Sequence, residues 1–285
     1  MDFINKVLSK AKEEGKLSPD LLPWEMPIPV AESTPGTVRA RVQDRTSTLP
    51  KQLSKFPREM FLDTQRIVEN IRVEVKNNTP YTVGVASSHP GEGTSTLTAM
   101  IAYIASQKTR QPEIAAEAHF SGEEKHPDTD NRVLLVDSQF VNPSIHKIFG
   151  VSLDPGLNEL ISENVSFDSV VKNIPASRLQ VITNGRQRGD ILDQVISDRF
   201  LAHLNQVKKN YELVFLDIPP LLSSDEAAHL CRFCDGMVLV LSAGQTLWKD
   251  LEKVKSLLIH TNVNLLGAVL NNEKSLIPKF FSRWL

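Results

Sequence analysis

Residues Ser88-His89-Pro90-Gly91-Glu92-Gly93-Thr94-Ser95-Thr96 follow an apolar run, Val83 to Ala86, and combine spaced glycines with hydroxyl side chains. A strand, a glycine-bearing turn and a helix start make a cradle for a polyphosphate, because backbone N–H groups and the helix N-terminus all point at the anion. The spacing is that of G-x-x-x-x-G-K-S/T, with Ser88 at the first glycine and Thr94 at the lysine. Gly91 and Gly93 allow close backbone approach, and Glu92, Thr94 and Thr96 complete the candidate nucleotide-binding set. The hydroxyl of Ser95 is placed to ligate magnesium. Asp137 and Asp217 each close an apolar run, and a carboxylate at a strand end holds such a metal. The expected cofactors are therefore ATP or ADP with magnesium at Ser95, Asp137 and Asp217. Binding should be weak, because Thr94 carries no charge. Losing one charge-assisted hydrogen bond lowers affinity by roughly 10–100-fold. Phosphoryl transfer should suffer more, since its catalysis rests on positioning and charge stabilisation.

Apolar runs and amphipathic periods predict the elements that position these residues. Strands are expected at Thr82–Ala86, Arg132–Asp137, Leu179–Thr183, Leu213–Asp217, Met237–Ser242 and Leu265–Leu270. Helices are expected at about Glu59–Lys76, Ser95–Gln107, Asp198–Asn210, Ser224–Phe233 and Leu247–His260. Fully apolar strands alternating with amphipathic helices imply an α/β fold: a doubly wound, mainly parallel sheet with helices on both faces, as in P-loop NTPases. Ligands of such sheets sit at the carboxyl ends of the strands, where Asp137, Asp217 and the loop converge.

The chain of 285 residues divides by composition. Residues 1–16 hold a short amphipathic helix, and 17–57, rich in Pro, Ser and Thr, read as a flexible linker. The P-loop domain spans 58–273, with a surface insertion at 111–131 that lacks periodicity, and 274–285 form a basic amphipathic tail. A net charge of -2 argues against nucleic-acid binding. No apolar run has spanning length and residues 1–16 lack a secretory core, so a cytoplasmic protein is expected.

Three blocks resemble the bacterial tyrosine kinase family, the autokinases of capsule and exopolysaccharide synthesis within the wider ParA/MinD-like group. Pro90-Gly91-Glu92-Gly93-Thr94-Ser95-Thr96 is similar to P-G-E-G-K-S-T. Val133 to Lys147 is similar to V-L-L-I-D-x-D-x-R-x-P-S-x-H-K, and Tyr211 to Pro220 to Y-D-x-V-I-I-D-T-P-P. Asn271 matches a position that contacts the base in related P-loop proteins, which adds it to the candidate nucleotide-binding residues. The resemblance gives Asp137 and Asp217 the catalytic positions. It also implies a partner, a membrane polysaccharide co-polymerase that regulates chain length, and the possibility of a homo-oligomer or of pairing with an active paralogue.

The departures from that pattern fall where the chemistry lies. Thr94 replaces the phosphate-binding lysine, Gln139 the second aspartate of D-x-D, and Val141 the nearby arginine. A carboxamide cannot take a proton from an acceptor hydroxyl. The arginine-rich oligomer motif is mostly lost around Gln65 to Ile71, and the C-terminal tyrosine cluster is absent, since the three tyrosines are Tyr81, Tyr103 and Tyr211. A catalytically impaired member, a pseudokinase, is the expectation. Two alternatives compete with it: an active autokinase with a replacement cation from Lys108, Arg186 or Arg188, and a ParA/MinD-like positioning ATPase.

Cys231-Arg232-Phe233-Cys234 spells C-x-x-C, but it closes a predicted helix rather than opening one, so core packing is expected. Ile277, Phe280, Phe281, Trp284 and Leu285 fall at i, i+3, i+4, i+7 and i+8, opposite Lys279, Ser282 and Arg283. That pattern suits a membrane surface, as a peripheral protein of the inner membrane would use, or a partner, or the chain's own domain.

Overall fold

A computed structural model of the chain describes residues 50, 53–75, 80–107, 132–162, 165–186 and 198–272. The expected N-terminal helix, most of the linker, the insertion at 111–131 and the C-terminal tail lie outside the described residues, as do Lys108 and Arg188.

Seven strands form one sheet: β1 (Tyr81–Ser87), β2 (Val133–Asp137), β3 (Val171–Asn173), β4 (Leu179–Ile182), β5 (Leu213–Asp217), β6 (Gly236–Ser242) and β7 (Asn264–Asn271). Their spatial order is β3-β4-β2-β5-β1-β6-β7. All neighbours pair in parallel except β3 with β4. The helices are α1 (Arg58–Val75), α2 (Thr94–Ala105), α3 (Ile145–Phe149), α4 (Leu157–Ser162), α5 (Phe167–Val170), α6 (Asp198–Lys208), α7 (Asp225–Cys231) and α8 (Trp248–Thr261).

This is the doubly wound arrangement that the apolar runs imply, and the long elements start and stop within a few residues of the expected bounds. The short ones carry no usable period. The antiparallel edge strand β3 and the helices α3, α4 and α5 are findings of the structure alone. Leu53, read from sequence as linker, is fully buried in a short 3-10 turn ahead of α1.

Two cores flank the sheet. One packs α1 and α2 against Val83, Val85, Leu135, Phe215 and Val240; the other packs α4 to α8 against Leu134, Val214, Leu216 and Leu239. Strands β1, β2, β5 and β6 are buried at every residue, which is why they read as unbroken apolar runs. Gly84 lets β1 fit among its neighbours: a Cβ there would lie 2.3 Å from the Met237 sulfur and 2.7 Å from that of Cys234.

The chain passes from β1 outward to β2 and β4, then returns through β5 to β6 and β7. The winding therefore reverses at β5 and β1, whose carboxyl ends carry Asp217 and the glycine-bearing loop.

Candidate nucleotide site

The loop Ser88–Gly93 joins β1 to α2. Gly91 and Gly93 have φ of 84° and 89°, the left-handed region that a side chain disfavours, and Gly93 is the N-cap of α2. The loop is braced from within. The buried Glu92 carboxylate accepts the Ser88 N–H at 2.8 Å and the His89 N–H at 3.1 Å through one oxygen, and the Thr246 hydroxyl through the other. Thr246 in turn accepts the Ser242 N–H at 2.8 Å. Outside, a His89 ring nitrogen pairs with the Asp250 carboxylate at 3.0 Å. The Asn271 amide donates to the Glu92 carbonyl at 2.8 Å.

The strand ends bring the two aspartates together, because β2 and β5 pair with Asp137 directly opposite Asp217. Both are fully buried. The Asp137 carboxylate accepts backbone N–H groups of Gln139 at 3.1 Å and Ile145 at 3.2 Å, yet burial still pushes its pKa up to about 7. Asp217 is pushed well up by its own burial and then by the adjacent Asp137 charge; the Ser95 and Gln139 side chains oppose the shift. One oxygen of Asp217 has no hydrogen-bond partner. Gln139 donates to the Ile218 carbonyl at 2.8 Å and to the other Asp217 oxygen at 3.4 Å.

A cavity of about 370 Å³ opens over this arrangement. Gly91, Gly93, Thr94, Ser95 and Thr96 line it on one side, Gln139 to Asn142 and the Pro219–Glu226 stretch on others. No Lys, Arg or His is among its described lining residues. The single charged residue there is Glu226, which accepts the Ser224 hydroxyl. Val141, at the position of the resembling family's arginine, is 79% exposed at the cavity. Thr94 is buried in the first turn of α2. Arg186, one of the expected replacement cations, pairs with Asp154 at 2.9 Å and does not line the cavity.

Of the residues singled out from sequence, the loop glycines and Thr94, Ser95 and Thr96 face the cavity. Asp137 and Asp217 meet behind Gln139 and Ser95, while Glu92 and Asn271 do not line the cavity and brace the loop. Thr246 and Asp250 were not legible as site residues: they act on the loop from 154 and 161 positions away, with no motif to mark them.

Carboxylates and a hydroxyl make an oxygen-only donor set, the kind magnesium takes, and the orphaned Asp217 oxygen is an atom such an ion would satisfy. Among the described residues, no cation lines the cavity where the charge of a transferring phosphoryl group would develop. The remaining candidates resolve as packing. Cys231 and Cys234 are buried, burial pushes the Cys231 thiol up to about 12, and the described residues hold no cluster of three or more His, Cys, Asp and Glu suited to a metal. Tyr81, Tyr103 and Tyr211 are all buried.

No protein-family model matches the chain. It is 28% identical over 193 residues to tyrosine-protein kinase YwqD of Bacillus subtilis, covering 67% of this chain and 72% of that one. It is 22% identical over 251 residues to a Klebsiella pneumoniae chain named as a tyrosine-protein kinase in the cps region; that match covers 86% of this chain but only 31% of the relative's length. Among solved structures, the kinase domain of Escherichia coli tyrosine kinase ETK superposes with a TM-score of 0.64 at 21% identity, covering 75% of this chain and 76% of that chain. The resemblance to bacterial tyrosine-protein kinases is thus borne out, and the fold is that of their P-loop kinase domains.

Proposed function

We propose that this chain is a kinase-like protein of capsule or exopolysaccharide synthesis that no longer transfers phosphoryl groups and acts as a regulatory partner. The site carries the reading: the loop and the paired aspartates behind it keep the framework of a nucleotide site, while the described lining of the cavity has no cation and Gln139 stands against Asp217. What remains can hold ATP or ADP weakly through the loop amides, with magnesium at Ser95 and Asp217, next to Asp137.

The partner we propose is the cytoplasmic part of a membrane polysaccharide co-polymerase, or an active kinase of the same fold. Its surface would be the cavity mouth, where Val141 is exposed beside Asn142. The proposed location is the cytoplasmic side of the inner membrane, reached through that partner. No helix among the described residues is long and apolar enough to cross a membrane.

The test is purified full-length chain with magnesium and labelled ATP. The expected outcome is no phosphotyrosine and turnover at background, together with co-purification of the co-polymerase's cytoplasmic segments. Robust phosphotyrosine would establish an active autokinase instead, and failure to retain any polysaccharide-system partner would remove the regulatory role.

A further inference from the structure

β7 is covered differently from its neighbour. β6 is buried along its whole length, whereas Asn264 is exposed and every later residue of β7 is only half buried. Its side chains reach both cores: Leu265, Ala268 and Leu270 pack at the margin of one, Leu266 and Val269 at the margin of the other. On the first margin α8 contributes Trp248 and Leu257. The second margin belongs to the core built on α1 and α2, and there Leu266 and Val269 remain half exposed.

Thirteen residues, 273–285, follow the last described one. They carry the apolar series Ile277, Phe280, Phe281, Trp284 and Leu285, which the proposed function does not use. We propose that this segment, as a short amphipathic helix, covers the Leu266 and Val269 face of β7 in its own chain. The proposal is independent of the function proposed above.

Geometry and chemistry favour the chain's own tail as the occupant. Six residues from Asn271 to Ile277 reach up to about 20 Å, enough to turn back over a layer about 10 Å deep. A helix from Ile277 to Leu285 is about 14 Å long, half of a strand of about 27 Å. Its apolar side would lie on uncharged β7, and Lys279, Ser282 and Arg283 would face water. So short a tether keeps the tail near millimolar effective concentration at β7, which a separate surface must outcompete. A second copy pairing edge to edge is disfavoured by the irregularity opposite Met237 and Val238, where the β7 partner jumps from Leu265 to Gly267. The tail also starts at a functional point, because Asn271, the last residue of β7, holds the loop through the Glu92 carbonyl.

The test uses the full chain with Trp24→Phe and Trp248→Phe, leaving Trp284 as the sole tryptophan. The expected result is blue-shifted Trp284 emission, several-fold slower acrylamide quenching than in denaturant, and no change on about tenfold dilution. Val269→Lys should expose Trp284 while leaving the far-UV circular dichroism intact. Should that variant fail to fold, hydrogen exchange decides: deleting residues 275–285 should speed exchange of the Leu266–Leu270 amides about tenfold. Solvent-exposed Trp284 with unchanged exchange overturns the proposal. Burial that dilution abolishes, or that appears only with phosphatidylglycerol vesicles, overturns it in favour of a second copy or a membrane.

Discussion

The side-chain amide of Asn271 hydrogen-bonds the Glu92 carbonyl at 2.8 Å, tying the last strand of the sheet to the loop after the first. The contact is tight enough that a Cβ on Gly93 would lie 2.2 Å from the Asn271 amide nitrogen. With φ of 89° at Gly93, an alanine there meets backbone strain and a collision together. Gly93→Ala should lower stability in urea melts by at least about 2 kcal/mol. Combining it with Asn271→Ala should cost less than the sum of the single changes, because the collision disappears and the strain stays. Strict additivity would mean that the contact does not constrain the loop.

The internal brace makes a second prediction. Glu92 satisfies the Ser88 and His89 N–H groups and the Thr246 hydroxyl from a buried position, so Glu92→Ala leaves several donors without a partner. A loss of about 2–4 kcal/mol is expected. His89→Ala should change stability little, since the His89 side chain is 43% exposed where it pairs with Asp250. Equal losses from the two substitutions would contradict this ranking.

Because burial raises the pKa values of both Asp137 and Asp217, the fold favours their protonated forms. That contribution is complete below the unfolded carboxyl range near pH 4 and is lost as pH rises through about 7, where Asp137 titrates. The melting temperature should therefore fall by several degrees between about pH 5 and pH 8. Asp217→Asn should flatten the decline by removing the neighbouring charge. A profile unchanged by that substitution would show that the pair does not govern it.

Restoring one residue should separate binding from chemistry. Thr94→Lys puts a cation on the cavity wall and should tighten ATP binding by about 10–100-fold in calorimetry. Phosphotyrosine should stay at background, because the Gln139 amide still occupies the second carboxylate position beside Asp217. Activity regained by Thr94→Lys alone would show that Gln139 does not block transfer.

Where the sequence carried a period, it was sufficient. The apolar runs of β1, β2, β5 and β6 are those of strands buried on both faces, and the order of strands and helices led directly to the doubly wound sheet. Val171–Asn173 was not legible, because three partly exposed residues at a sheet edge show no alternation to read. The loop was visible as a motif, but its bracing was not. Glu92 reads as one more residue near a phosphate until the fold brings Thr246 against it. Asn271 was expected at a nucleotide base; that its amide also engages the loop backbone had no signal in the sequence. Such partners are fixed by tertiary proximity, for which local spacing holds no signal.

The two margins of the sheet have consequences for assembly. At one end stands β3, three residues long and bearing Lys172; at the other lies the eight-residue, uncharged β7. A short charged margin resists further strand pairing outright, whereas at the long neutral one only the irregularity opposite Met237 and Val238 discourages it. Among the described residues, the molecule is therefore polar as a building block. Copies meeting through their strands would close as a pair and stop, since neither outer margin of that pair would offer a place for a third. Growth into a filament along the sheet is disfavoured by this asymmetry of the margins alone.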